Sequence, residues 1–327
     1  MSISVQQNVG IALAKYRMPS HEICRAIIQM DFARLDLEKL VSLRALAPSA
    51  DDLSVLKEYD GDVEKLGKVE KFFLHINKIP RYIPRLDCFI FMRKFQMLAS
   101  EMYHQYDIMN RALDQLENSK TFRKILEIVL ALGNYLNGST PRGGFYGFKL
   151  EGLLKLPAVK SVDNKLNLMH FLVKQCRSTD ETLLAVGSEL NMMEEASRIS
   201  LESCKADISS LRNNLATVDD AIEAQRLDTN PDENDRLIEV LSPFKLEASL
   251  ETDKLEEEFK SISQRFYKTL TLFGGDKDQH NFTGFFSLIK DFVQGFTKAH
   301  RDIEKRRVMK EKLERKRVSV FVSHCHS

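Results

Sequence analysis

Apolar residues recur at helical spacing along most of this chain, and the stretches between them read as caps and turns. In RMPSHEICRAIIQMD, Pro19 and Ser20 precede Ile23, Cys24 and Ile27, which share one face, so Ser20 is the expected N-cap. Ser49 with Asp52 spells a capping box before a second helix. Ser119 opens a third, whose Ile125, Ile128, Val129 and Leu132 face inward and whose run stops at Gly133. Between them, one long helix starts at the prolines of IPRYIPRL and runs to about Glu117, strongly apolar at its start. No period-two alternation marks a strand.

Later the pattern changes. Leu201, Cys204, Ile208, Leu211, Leu215, Val218 and Ile222 keep a strict three-four spacing, the seam of paired helices. LDTNPDEND breaks the run. A second helix carries Leu255, Phe259, Ile262, Phe266, Leu270 and Phe273 on one stripe, and GGDKDQHN breaks again. A last helix carries Phe285, Phe286, Ile289, Phe292, Val293, Phe296 and Ile303, then dissolves into a basic stretch. Short connections let these three late helices pack as an antiparallel bundle. The expected class is all-α, with a globular helical half and a long antiparallel coiled-coil or three-helix bundle.

Composition agrees. Gly (14) and Pro (8) are scarce for 327 residues, which favours helices. A net charge of +1 predicts no strong pull toward nucleic acid or acidic membrane. No apolar run approaches a membrane span, and the N-terminus lacks a signal core. The five scattered cysteines read as free thiols in a reducing, cytoplasmic setting.

No phosphate loop, dinucleotide fingerprint or zinc motif is present. His324-Cys325-His326 could bind a metal, but no further ligand lies near it in sequence. His170, in LNLMHFL, reads as a packed, hydrogen-bonded histidine. The carboxylates spread along helices as solvated faces. No enzyme site, metal or cofactor is therefore expected. From Lys305 to Arg317 eight of thirteen residues are basic. That is a solvated helix end suited to the macrodipole, or a contact for an acidic surface. Lys78, Arg81, Arg85, Arg93 and Lys94 cluster around the start of the long helix, a candidate patch for an acidic partner.

One stretch stands apart. Gly133-Asn134-Tyr135-Leu136-Asn137-Gly138 is followed by Phe145-Tyr146-Gly147-Phe148 and then LLKLPAVKSVDNKLNLMHFL. Its glycines permit a tight turn and close approach by another chain, and Asn134 and Asn137 can bond backbone groups there. Gly147-Phe148, Lys155-Leu156, Lys160-Ser161, Asp163, Lys165, Leu168 and His170-Phe171-Leu172 all match a known pattern. With QNVGIALAKYRMP (Gln7 to Pro19) and IPRYIPRL (Ile79 to Leu86), it resembles the formin-homology-2 domain of formins, from about residue 5 to about residue 310.

The resemblance implies an actin-binding module of the cytoplasmic cytoskeleton that nucleates filaments and caps or elongates their barbed ends. It implies a core over 1–317: knob and long helix to about 118, post over 119–178, and coiled-coil and closing helices over 179–310. Residues 318–327 stay unassigned. Ile11 matches the knob's apolar actin contact and Lys160 a basic one, with Arg81 and Arg85 as softer candidates. Gly133, Asn134, Tyr135, Asn137, Gly138, Gly147 and Phe148 match the post's receptor for the lasso of a partner subunit. The family's lasso carries tryptophans, and this chain has none. Lasso, linker and proline-rich segment are expected to be missing and dimer-dependent activity impaired. The competing expectation is a helical scaffold that offers its coiled-coil seam to partners.

Overall fold

The structure, a computed structural model, describes residues 3–324 except 58, 60, 139, 142 and 163. Asp163 of the matched pattern and Cys325 and His326 of the terminal cluster lie outside the described residues. Among the described residues every regular element is a helix, and the only bridge is an isolated antiparallel one, Lys160–Asn167. The order is α1 (Ile3–Tyr16), α2 (Ser20–Ile28), α3 (Leu37–Ala45), α4 (Ala50–Lys57), α5 (Lys68–Asn77), α6 (Tyr82–Asn118) and α7 (Lys120–Asn137). Then come α8 (Leu168–Thr179), α9 (Val186–Glu189), α10 (Met193–Ala196), α11 (Leu201–Arg226), α12 (Leu237–Leu272) and α13 (Phe282–His324). A 3-10 segment, Leu150–Ala158, precedes α8.

The chain folds into two compact units, each discontinuous. Unit 1 is Met1–Tyr103 with Lys205–Glu257; unit 2 is His104–Cys204 with Glu258–Ser327. In unit 1, Ile23 and Ile27 of α2 are buried with Phe72, Phe73 and Ile76 of α5. On α6, Phe91 and Phe95 each meet Phe244 of α12 edge-on with centroids 5.7 Å apart. Fully burying one such ring is worth about 1.5–3 kcal/mol. In unit 2, α13 packs on α8, α9, α10 and the 3-10 segment. Its Phe282, Phe285 and Phe286 gather around Phe266 of α12, the first at 5.0 Å. Phe122 of α7 lies 6.0 Å from Phe292 of α13.

Several expected caps form. Ser49 accepts from the Asp52 amide at 3.2 Å, and its hydroxyl donates back to the Asp52 carboxylate at 2.7 Å. Ser119 accepts from the Phe122 amide at 2.9 Å. Pro84 falls in the first turn of α6, where a missing N–H costs nothing. Every seam residue from Leu201 to Ile222 is buried.

Five expectations change. Ser20 is already helical and Pro19 holds the N-cap position, with no side-chain cap. The inward face of α7 is Phe122, Ile125 and Val129, while Ile128 and Leu132 are half-buried. α7 does not stop at Gly133 but runs to Asn137. One interior glycine costs only about 1 kcal/mol, and the Asn137 amide donates to the Gly133 carbonyl at 2.9 Å, holding the last turn. The basic stretch stays helical to His324. Its charges alternate at helical spacing, with Arg307–Glu304 at 3.0 Å and Lys310–Glu314 at 3.8 Å. Finally, the expected bundle of the three late helices is shared out between the units: α13 packs on the second half of α12 in unit 2, and another helix stands beside α11 and the first half of α12. That place in unit 1 belongs to α6, whose broad apolar start bears Cys88, bonded to the Thr217 carbonyl at 3.7 Å, and the two Phe244 partners.

Candidate partner-binding surfaces

The end of α7 and the loop behind it build a groove in unit 2. Val129, Leu130, Gly133, Asn134 and Asn137 recur at three- and four-residue spacing, so they line one side of the helix. Phe145, Gly147 and Phe148 of the loop, Gly152 and Leu156 of the 3-10 segment, and Leu168 at the start of α8 complete the walls. The cavity holds about 450 Å³.

Asn134 fixes the loop against the helix. Its amide donates to the Phe145 carbonyl at 2.8 Å and its oxygen accepts from the Phe145 N–H at 3.0 Å, as a strand partner would. Two glycines are needed here. A Cβ on Gly143 would lie 2.7 Å from the Asn137 carbonyl oxygen, and Gly144 has φ +75°. Gly133 and Gly147 face open space, so the turn does not require them; a Cβ at either would narrow the groove they line. Tyr135, Leu136, Phe145 and Tyr146 are exposed around it, Tyr146 completely so at 102%. Exposed aromatics beside an apolar pocket are the composition of an interaction surface.

A second cavity of about 440 Å³ shares Leu130, Gly147 and Phe148 with the first and adds Leu272, Phe273 and Gly274 from the end of α12. Sequence reasoning missed this contribution from α12. Phe273 lies one residue beyond the helix and is only half-buried, so its place in the apolar stripe hid it.

Lys160 stands exposed on a hairpin-like turn between the 3-10 segment and α8. Ser161 N–H donates to the Leu166 carbonyl at 2.9 Å and Leu168 N–H to the Val159 carbonyl at 2.8 Å. Asn167 ends the turn and caps α8, accepting from the His170 amide at 3.1 Å. Burial and the cationic Arg306 hold the His170 imidazole below its ordinary pKa, against Asp302.

Unit 1 carries the remaining candidates. Ile11 is 64% exposed, although Val9 and Tyr16 of the same helix are buried. It borders a cavity of about 400 Å³ with Asn8, Lys15, Asp36 and Lys39. The Lys39 amide donates to Asp36 at 2.9 Å and holds that carboxyl below its usual range. Arg81 is exposed with φ +50°. Arg85, expected as a surface contact, is instead 1% exposed. Its guanidinium grips Asp235 through two bonds of 2.5 and 2.8 Å and reaches Gln225 and the Ile28 carbonyl at 3.3 Å each. A cation used this way inside the fold is not offered to a partner. Of the basic cluster, Arg93 lies over the Phe32 ring at 5.2 Å.

The sequence profile of the Formin Homology 2 Domain matches residues 1–297. The chain belongs to this family. As a formin homology 2 domain it is 32% identical over 313 residues to mouse (Mus musculus) Disheveled-associated activator of morphogenesis 2, covering 95% of this chain and 28% of that protein. It is 33% identical over 301 residues to Formin-H of Dictyostelium discoideum, covering 90% and 27%. Formin-like protein 13 of Arabidopsis thaliana is 29% identical over 295 residues, covering 90% and 23%. The chain thus spans about a quarter of the length of these curated relatives. The matched segment holds Ile11, Arg81, Lys160 and the groove, and it stops before the basic end of α13. Among the described residues no cluster of three or more His, Cys, Asp or Glu could hold a metal ion, and no helix is long and apolar enough to cross a membrane.

Proposed function

We propose that this chain is a non-enzymatic, cytoplasmic actin-binding module that nucleates filaments and caps or elongates their barbed ends. Ile11 supplies an apolar contact, Lys160 a basic one and Arg81 a softer one. The α7 groove receives an aromatic-bearing lasso of a partner subunit. In family terms, α1 to α6 hold the knob and the long helix, the segment around α7 and the Lys160 turn is the post, and the later helices form the coiled-coil and closing region. The observation that carries this reading is the exposure of Ile11. An isoleucine left in water between buried neighbours on one helix is free to be buried by something else. The groove, built from the residues of the matched pattern, supports the partner-subunit part. The scaffold alternative is disfavoured because its seam, Leu201 to Ile222, is already covered inside the fold.

Bulk actin assembly and barbed-end growth test the proposal. The parent chain is expected to slow barbed-end growth, and the doubly substituted Ile11→Ala, Lys160→Asp chain, shown folded by thermal unfolding, is expected to lose the effect. A folded double variant that slows growth like the parent would end the assignment of both residues.

A further inference from the structure

The turn that presents Lys160 is short and two-stranded. Beside two backbone rungs, the Asn164 N–H donates to the Ser161 carbonyl at 2.9 Å, and the Ser161 hydroxyl donates to the Leu166 carbonyl at 3.0 Å and accepts from the Leu166 N–H at 3.2 Å; a two-stranded turn of this size is marginal in water without tertiary support. Asn164 at its tip sits at φ +55°. Tertiary support comes from α13, from a residue beyond the family match, which ends at 297. Arg306 Nη2 donates to the carbonyl oxygen of Lys165 at 2.8 Å. Asp302 of the same helix lies 4.0 Å from His170 Nε2 on α8.

Asn167 joins the turn to α8, and the chemistry of that joint follows from its distances. Asn167 Oδ1 accepts from the His170 amide at 3.1 Å, which fixes it as the oxygen of the side-chain amide. His170 Nδ1 lies 2.6 Å from the same oxygen and 3.4 Å from the Asn167 backbone nitrogen, so the side chains of Asn167 and His170 close a capping box at the joint. The other ring nitrogen, Nε2, is buried, has no hydrogen-bond partner and lies 4.0 Å from Asp302 Oδ2. The imidazole therefore stands between the base of the turn and α13.

We propose that Arg306 is a positioning residue for the Lys160 turn, which it holds by the Lys165 carbonyl. The consequence for actin rests on the Lys160 reading; the positioning itself does not.

The charged groups that face His170 are Asp302 and Arg306 of α13 and Lys174 of its own helix. Arg306 and Lys174 oppose ring protonation and Asp302 favours it. Hydrogen exchange of the Ser161 and Leu168 amides reads the turn directly. In Arg306→Gln these amides should exchange about tenfold faster, the size of one hydrogen bond from a charged donor, and Arg306→Lys should recover most of the protection. A nuclear magnetic resonance titration of His170 gives a second signature. Asp302→Asn should lower its pKa and Arg306→Gln should raise it. Actin binding gives a third: Arg306→Gln should weaken it in the parent chain and add nothing in Lys160→Asp. If Lys160→Asp alone leaves actin binding intact, the Lys160 reading fails while the exchange result still decides the positioning. Unchanged exchange at Ser161 and Leu168 in Arg306→Gln overturns the proposal. So does an equal acceleration throughout α8 and α13, which would mean a general loss of packing.

Discussion

The start of α6 and the turn at 159–168 each place a cation near a proline, and they use it in opposite ways. At the start of α6, Arg85 is enclosed and its two terminal nitrogens bond Asp235, Gln225 and a carbonyl of α2. On the turn, Lys160 stays in water while the backbone around it is held by neighbours. Taking two charges out of water is costly, and the pair is tolerated only when geometry is good and further bonds satisfy it. An exposed lysine avoids that cost and keeps its charge for a later encounter. The first cation joins segments of one unit, and the second is available to join molecules.

The comparison makes its largest prediction at Arg85. Arg85→Met leaves the buried Asp235 carboxylate without its cation, with the Leu237 N–H still bonded to it at 2.9 Å, and should cost about 3–5 kcal/mol of stability. Denaturant unfolding checks this, and a loss below about 0.5 kcal/mol would break the contrast. Arg85→Met with Asp235→Leu should recover much of the loss, because no charge is then stranded.

Ile11 comes next. Ile11→Ala should leave stability within about 0.5 kcal/mol, as at an ordinary surface site. Actin affinity should fall about ten- to a hundredfold, since full burial on binding is worth about 1.5–3 kcal/mol. Co-sedimentation at two salt concentrations should give the same loss at both. A clear drop in the unfolding midpoint would place the side chain in the core instead. Lys160→Asp should also leave stability intact. Its effect on actin affinity should shrink with added salt, because the Debye length at physiological ionic strength is about 8 Å. A salt-independent loss would mean that the lysine acts through packing.

The smallest effect is expected at an ion pair of intermediate exposure. Burial pushes the Glu117 carboxyl up, but bonds from Arg265, at 2.6 Å, and from Thr269 outweigh it and hold the carboxyl below its usual value. A carboxyl with a depressed folded pKa adds stability above its unfolded value of about 4.3, and that stability is lost as the pH falls through the folded value. Glu117→Gln should therefore lower stability at neutral pH and flatten its decline in acid. An unchanged acid limb would remove Glu117 from the account.

Much of this was legible in the residues. Ser49 and Ser119 cap because their oxygens reach amides three residues on, a local event that sequence spacing records. The seam from Leu201 to Ile222 was readable because burial follows a helical period. Arg85 was not. Its fate depends on Asp235, 150 residues away, and no local pattern distinguishes it from the exposed Arg81. The end of α7 was misjudged because Gly133 carries a small helix penalty that the side-chain bond from Asn137 helps offset. The groove motif itself was visible, while the neighbouring wall from Leu272 and Phe273 required the fold.

The interleaving of the two units has a consequence for synthesis. A chain leaves the ribosome from its N-terminus, and domains generally fold as units as they emerge. Unit 1 cannot be complete until its second segment, Lys205–Glu257, has been made. Until then the nascent chain carries Arg85 without its carboxylate and Phe91 and Phe95 without Phe244. Unit 2 waits longer, for the phenylalanines of α13. Truncated products ending before Asp235 should accordingly be sticky and protease-sensitive rather than partly folded. The yield of intact protein should depend on holding chaperones far more than that of a contiguous domain of equal length.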